Sequence, residues 1–364
     1  MPGDHAEPQF SGAAVARPDA VAAPGRPADA DLVLPPAAAQ LIREAVPENT
    51  VLAYRSRWRS FAAWCESAHR TALPATAQTV AAYLTHLAVD RQLKGTTVDA
   101  HLTAVRAAHR AAGAAVPDGL AARKVVVGAR RREAARDGRY GPRRAVPVLA
   151  ADLPAIMAAV DTRSAAGLRD RAVILLGFAL LARRSELAAL NLSDLEQVPG
   201  EGLAVTIRAS KTDQAARGVI RRIHYAANEA LCPVRAVAGW TEYLAQRGIT
   251  AGPLFVRVDR WGNVGAAAGG RYAAAGGRER LRPQGIGDII AAACAAAGLG
   301  SPGQERRYSG HSLRRGGATS MLRAGAQPLN VSRHGRWADG SRSFAGYVEE
   351  AAGFGEANPT WNLL

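Results

Sequence analysis

Lysine is nearly missing from this chain of 364 residues: Lys94, Lys124 and Lys211 stand against 43 arginines. Cysteine is as scarce. Cys65, Cys232 and Cys294 are isolated, odd in number and never arranged as C-x-x-C, which excludes a disulfide framework and a zinc site and points to reduced thiols. No apolar run is long enough to cross a bilayer. The N-terminal residues lack the continuous apolar core of a signal peptide; Ala, Pro and Gly alternate with Asp4, Glu7, Asp19, Asp29 and Asp31, so residues 1–36 read as a disordered lead-in and the expected location is cytoplasmic. Acidic side chains are also in deficit. With 31 of them against 46 basic ones the formal net charge is +15, so the expected partner is a polyanion, and nucleic acid is favoured over a membrane surface. A bias to arginine and alanine also arises from genome composition, and charge alone does not decide the matter.

From residue 37 to 132 apolar residues return every three or four positions, with turn signals between the runs, which predicts a helical domain. Its clearest helix runs from Asn49 to His69, with Thr50 as a cap and Leu52, Trp58, Phe61, Ala62 and Trp64 as the apolar stripe. A second spans Thr76 to Asp90, and a third follows Gly95, capped by Thr96 or Thr97, and stops at Gly113. The segment from Arg130 to Arg144, RRREAARDGRYGPRR, mixes dense positive charge with Gly and Pro and reads as a basic linker, placed at 133–146. Residues 147–364 form a second, larger domain. Helices are expected over Asp152–Val160 and Leu168–Leu181, the latter apolar almost all round and so buried. Leu203, Val205 and Ile207, then Val219, Ile220 and Ile223, flank SKTDQAARG as a β-hairpin with a long polar turn. The Gly- and Ala-rich stretch 259–282 reads as a flexible loop without assigned chemistry, and helices resume near Gly285. The fold class is mainly α with a small antiparallel β-sheet.

Within this frame a few residue types fall in an order that phosphodiester chemistry can use. Arg183, in LLARRSELAAL, is carried by an apolar helix and presents a planar fork suited to phosphate, with Glu186 able to fix that fork; a plain helix-surface ion pair is the alternative. Lys211 stands at the start of the hairpin turn in a protein that otherwise uses arginine, and lysine can release a proton near neutral pH where arginine cannot. His311 and Arg314 lie in SGHSLRRGG, where Gly310 and Ser312 mark a helix start whose free N–H groups face an anion. The pattern H-x-x-R is common by chance, and its setting is what gives it weight. Tyr347, in SFAGYVEE, is by residue type more often core than catalyst.

Taken together, ARRSEL, SKTDQ, GHSLRR, GRW and GYVEE resemble, in the same order, the motifs of the tyrosine recombinase and phage integrase family, with the GHSLRR segment closest to its Cre-like branch. The resemblance covers the chain from about Asn49 onward. It implies a helical SAM-like core-binding domain at 37–132 and a tyrosine recombinase catalytic domain with a C-terminal tail at 147–364, closing as a C-shaped clamp on double-stranded DNA. It also implies site-specific recombination through a 3′-phosphotyrosine, with no ATP, metal or cofactor. Arg183, Lys211, His311, Arg314 and Trp337 would serve as catalytic residues around the nucleophile Tyr347, with Glu186 in support. Tyr347 follows Trp337 by ten residues, one more than the family's usual interval. Tyr308, the other nearby tyrosine, precedes the H-x-x-R motif and fits the order badly. Implied partners are a homotetramer on synapsed DNA and an accessory protein that sets direction; the tail, with Phe354, Trp361, Leu363 and Leu364, would dock on a neighbouring protomer or pack on its own domain. The competing readings are a type IB topoisomerase-like nicking-closing enzyme, a recombinase-derived DNA binder without activity, and a generic helical regulator.

Overall fold

Helices on either side of Pro142 enclose separate apolar cores in the computed structural model, which divides into the compact units Met1–Pro142 and Arg143–Leu364. The structure describes residues 35, 37, 48–138, 144–208, 218–265, 280–300, 308–353, 355, 358 and 360. The lead-in expected over 1–36 therefore lies outside the described residues except Pro35, as do the core of the Gly- and Ala-rich stretch and Phe354, Trp361, Leu363 and Leu364 of the tail.

In the first unit the described helices are α1 (Glu48–Ser67), α2 (Ala77–Val89), α3 (Gly95–Ala111) and α4 (Leu120–Asp137). Phe61 of α1, Tyr83 and Leu84 of α2, Val98 and Val105 of α3 and Val126 of α4 meet in the core. Thr76 caps α2 by accepting from the Thr79 N–H at 3.1 Å. Neither Thr96 nor Thr97 caps α3. Its first N–H, that of Gly95, donates across to Glu133 Oε2 on α4 at 2.9 Å. Glycine is needed there because a Cβ would lie 2.4 Å from Arg130 Cγ. These contacts correct the expected linker: its first half is helix. Arg, Glu and Ala are good helix formers, Arg130 pairs with Asp99 at 2.8 Å, and α4 continues to Asp137 before Gly138 turns left-handed at φ 60°.

The second unit contains α5 (Leu153–Ala158), α6 (Ala165–Ala179), α7 (Arg184–Ala189), β1 (Leu195–Val198), β2 (Gly202–Ile207), β3 (Val219–His224), α8 (Pro233–Ala245), α9 (Pro283–Ala296), α10 (Gly310–Arg323), α11 (Pro328–Gly335) and α12 (Arg342–Ala352). The three strands form one antiparallel sheet in sequence order, with Leu195 opposite Val205 and Ile207 opposite Val219. β1 has only four residues, too few for an alternating pattern to stand out in sequence. The turn joining β2 and β3, residues 209–217, lies outside the described residues.

α6 is the buried helix that its composition predicts: Ala172, Val173, Ile174, Leu175 and Leu176 are each at most 2 % exposed. It stops before Leu181 because that residue adopts φ 49°. The Leu181 N–H donates to Phe178 O at 3.2 Å and the Ala182 N–H to Gly177 O at 3.0 Å. This is a Schellman cap with leucine where glycine is usual, a conformation that costs about 1–2 kcal/mol. Leu181 tolerates it because its side chain is fully buried against Ala318, Val331 and Tyr347.

α10 lies backbone-close on its neighbours. Val148 N–H donates to Ser312 O at 3.1 Å, and Cβ atoms at Gly316 and Gly317 would fall 1.6 Å from Val148 O and 2.7 Å from Phe178 O. Gly316→Ala is expected to lower stability by at least about 1–3 kcal/mol through overpacking. Gly128→Ala, at an open position of α4 with no atom near the added methyl, is expected to raise it by roughly 0.5–1 kcal/mol; urea unfolding midpoints of the two variants check both signs.

Candidate active site

An α-helix leaves its last carbonyls without intrahelical partners, and the end of α6 turns this into a receptor for cations. His334 Nε2 donates to Ala179 O at 2.8 Å, Arg336 Nη1 to Leu180 O at 3.2 Å, and Arg314 Nη1 to Leu181 O at 2.5 Å. Cations and N–H donors at this point also complement the helix dipole. Arg183 then begins α7 as its N-cap residue. Its N–H donates to Glu186 Oε2 at 2.9 Å and its Nη1 to Glu186 Oε1 at 2.6 Å. The surface ion pair that Arg-x-x-Glu usually signals is ruled out by burial, since Glu186 is 4 % exposed.

Glu186 serves a second guanidinium. Arg336 Nη2 donates to its Oε2 at 2.7 Å, and Arg336 is 7 % exposed, in a left-handed conformation with φ 61° at the end of α11. Burial alone would raise the Glu186 pKa; the charge of Arg336 and the hydrogen bonds and charge of Arg183 outweigh it and hold the carboxyl below its ordinary value. Two arginines thus share one carboxylate, and a third, Arg314, feels its charge. Arg314 is 1 % exposed, and burial followed by the charge of Arg183 pushes its pKa down to about 9, which leaves it cationic at neutral pH. Its Nη2 is buried with no hydrogen-bond partner among the described residues.

Trp337 covers this cation, with its ring centroid 3.8 Å from Arg314 Cζ, inside cation–π range. The backbone passes from Trp337 to α12 through a turn in which the Ser341 N–H donates to Ala338 O at 3.1 Å and Gly340 adopts φ 69°. The turn brings the Tyr347 ring edge-on to Trp337, 5.6 Å between centroids. Tyr347 is 5 % exposed; burial raises its pKa even though Arg314, Arg315 and Arg144 act to lower it, so the phenol is protonated at neutral pH. Tyr308, by contrast, packs at the edge of the main core.

His311 occupies the first turn of α10, whose cap is Ser309: its hydroxyl accepts from the His311 N–H at 3.3 Å, while the Ser312 hydroxyl accepts from the Ser309 N–H at 2.9 Å. The neighbouring Gly310 lets α10 approach α7, because a Cβ there would lie 2.8 Å from Arg184 Cβ. His311 is exposed, yet lost hydration on the protein side of its ring, then the charges of Arg314, Arg183, Arg315 and Arg184, hold its pKa below 6.5. The imidazole is neutral at pH 7 and free to accept a proton.

The fold therefore gathers Arg183, Glu186, Arg314, Trp337 and Tyr347 around the end of α6, with His311 at their rim. Lys211 lies outside the described residues, between β2 and β3. Two participants carry no signal of their own in an arginine-rich sequence. Arg336 stands beside Trp337 in GRW, but only the left-handed turn directs it inward. Arg221 of β3 donates to the carbonyls of His334 and Arg333, at 2.9 and 2.5 Å, and so ties the hairpin to the end of α11.

The profile of the phage integrase family matches residues 148–352. The chain is 33% identical over 294 residues to an integrase/recombinase xerD homolog of Selenomonas ruminantium, covering 79% of this chain and 78% of the relative. It is 26% identical over 302 residues to the recombinase cre of Escherichia phage P1, covering 81% and 82%. Among solved structures, the Tn1549 transposon integrase in complex with circular intermediate DNA shares the fold at a TM-score of 0.50 and 14% identity, over 85% of this chain and 92% of that one.

Glu186→Ala is expected to destabilise the protein by about 3–5 kcal/mol, because it removes the buried carboxylate that accepts from both Arg183 and Arg336. The folded pKa of Glu186 is depressed, so the stability it contributes is complete above the unfolded value near 4.5 and is lost as pH falls through the folded one. Urea unfolding at pH 7 and at pH 4 and below checks both statements: the gap between wild type and variant narrows with acidification.

Proposed function

Because the chain belongs to the phage integrase family and is a site-specific tyrosine recombinase, we propose that Tyr347 is the nucleophile with which it cuts DNA. The phenol oxygen attacks the scissile phosphorus and the 5′-oxygen leaves, giving a 3′-phosphotyrosine. The phosphodiester energy is kept in that bond, so a later 5′-hydroxyl reseals the strand without ATP. Arg183 and Arg314 bind the two non-bridging oxygens and stabilise the pentacoordinate transition state. The observation that carries this reading is the buried Nη2 of Arg314, which has no hydrogen-bond partner among the described residues and lies within the electrostatic reach of Arg183 and Tyr347. A buried guanidinium N–H without an acceptor calls for one, and a non-bridging phosphodiester oxygen supplies it together with a complementary charge.

A phenol with a raised pKa needs a base. His311, neutral at pH 7, takes its proton. Lys211 gives a proton to the leaving 5′-oxygen, the task for which its residue type suits it. Trp337 packs over Arg314 and offers its indole N–H to a phosphate oxygen. The helical unit before Pro142 acts as a core-binding domain on duplex DNA. Exchange between two duplexes needs four cuts, so the working assembly is a tetramer of this chain on two DNA sites.

On nicked DNA fragments flanking the protein's own gene, a denaturing gel is expected to show protein-linked DNA that Tyr347→Phe abolishes and Tyr308→Phe retains; the opposite pattern would falsify the assignment. Arg314→Ala should slow formation of the adduct by on the order of 10²–10³. The acid limb of kcat/KM, which reports the free protein, should fall below pH 6.5, because the His311 pKa is depressed. His311→Gln should remove that limb.

A further inference from the structure

The residue after the phosphate ligand Arg314 is turned the other way. Arg315 Nε donates to Glu350 Oε2 at 2.8 Å, Nη2 lies 2.7 Å from the same oxygen as an ion pair, and Nη1 donates to the carbonyl of Ala145. Glu350 lies three residues beyond Tyr347 on α12, a spacing that puts both on one side of the helix about 4.5 Å apart along its axis. Arg144 lies close to the neighbouring Gly346: a Cβ there would lie 2.9 Å from its Nη1. The turn that carries Tyr347 is thus gripped by Arg315, which also holds Ala145, while the guanidinium of Arg144 lies over Gly346.

We propose that Arg315 and Glu350 are positioning residues for the nucleophile. Neighbouring positions of α10 hold the two reacting parts, Arg314 the phosphate and Arg315 the helix of the tyrosine, so α10 fixes the distance between attacker and target. This rests on Tyr347 being the nucleophile. The pair is 16% and 22% exposed and therefore partly screened, so its removal should change folding little, whereas attack geometry is sensitive to displacements of about 1 Å.

Single-turnover cleavage by the full-length protein on the nicked substrate tests the proposal, with DNA affinity from mobility shift and thermal midpoint measured alongside. Arg315→Ala and Glu350→Ala are expected to slow adduct formation by on the order of 10- to 100-fold, with DNA affinity and midpoint near wild type. Glu350→Gln, which keeps an oxygen acceptor for Arg315, should recover most of the rate. Wild-type rates in both alanine variants overturn the proposal, as does a loss of rate matched by equal losses of affinity and midpoint, or a Glu350→Gln variant no faster than Glu350→Ala. Adduct formation by Tyr347→Phe would instead overturn the assignment of the nucleophile itself, and the two failures are told apart on one gel.

Discussion

The carbonyl end of α6 is the point on which the active site depends. The last two turns of α6 are apolar on all sides, so the helix ends inside the protein, and there its last carbonyls need donors. Because Leu181 reverses the backbone, those carbonyls face α10 and α11, and His334, Arg336 and Arg314 supply the hydrogen bonds. The same reversal starts α7 with Arg183 and puts Glu186 within reach of Arg183 and Arg336. Secondary structure and the candidate site are one solution here, since the donors that satisfy the helix end either belong to the arginine cluster or pack beside it.

Charge sets the second constraint. Guanidinium groups repel one another at low dielectric, and the depressed pKa values of Arg314 and Arg336 record that burial and this repulsion are borne in the free protein. Glu186 offsets part of it and fixes the geometry of its two partners. The charge of Arg314, whose Nη2 has no hydrogen-bond partner among the described residues, adds to the long-range attraction that a chain with a net charge of +15 exerts on polyanions. The neutral states of Tyr347 and His311 follow from the same environment.

Motif order made much of this legible from residues alone. ARRSEL, GHSLRR, GRW and GYVEE each pair a residue type with a backbone cue, and the buried character of α6 follows from its composition. What was not legible depends on contacts between distant elements. The charge-rich stretch after Arg130 looks like a linker until Glu133 and Arg130 are seen bonded to α3, and β1 is too short to show an alternation. Arg336 is one arginine among 43, and nothing in its neighbours announces a left-handed φ that turns it toward Glu186. Lys211 remains a reading of residue type and position.

Leu181 carries a consequence for how such an enzyme changes over generations. Glycine at this position would relax the backbone, yet it would remove the side chain that packs beside Tyr347, Ala318 and Val331. Losing that buried side chain costs about 2–5 kcal/mol, more than the roughly 1–2 kcal/mol of backbone strain that glycine would relieve, so packing beside Tyr347 decides the residue in favour of the strained leucine.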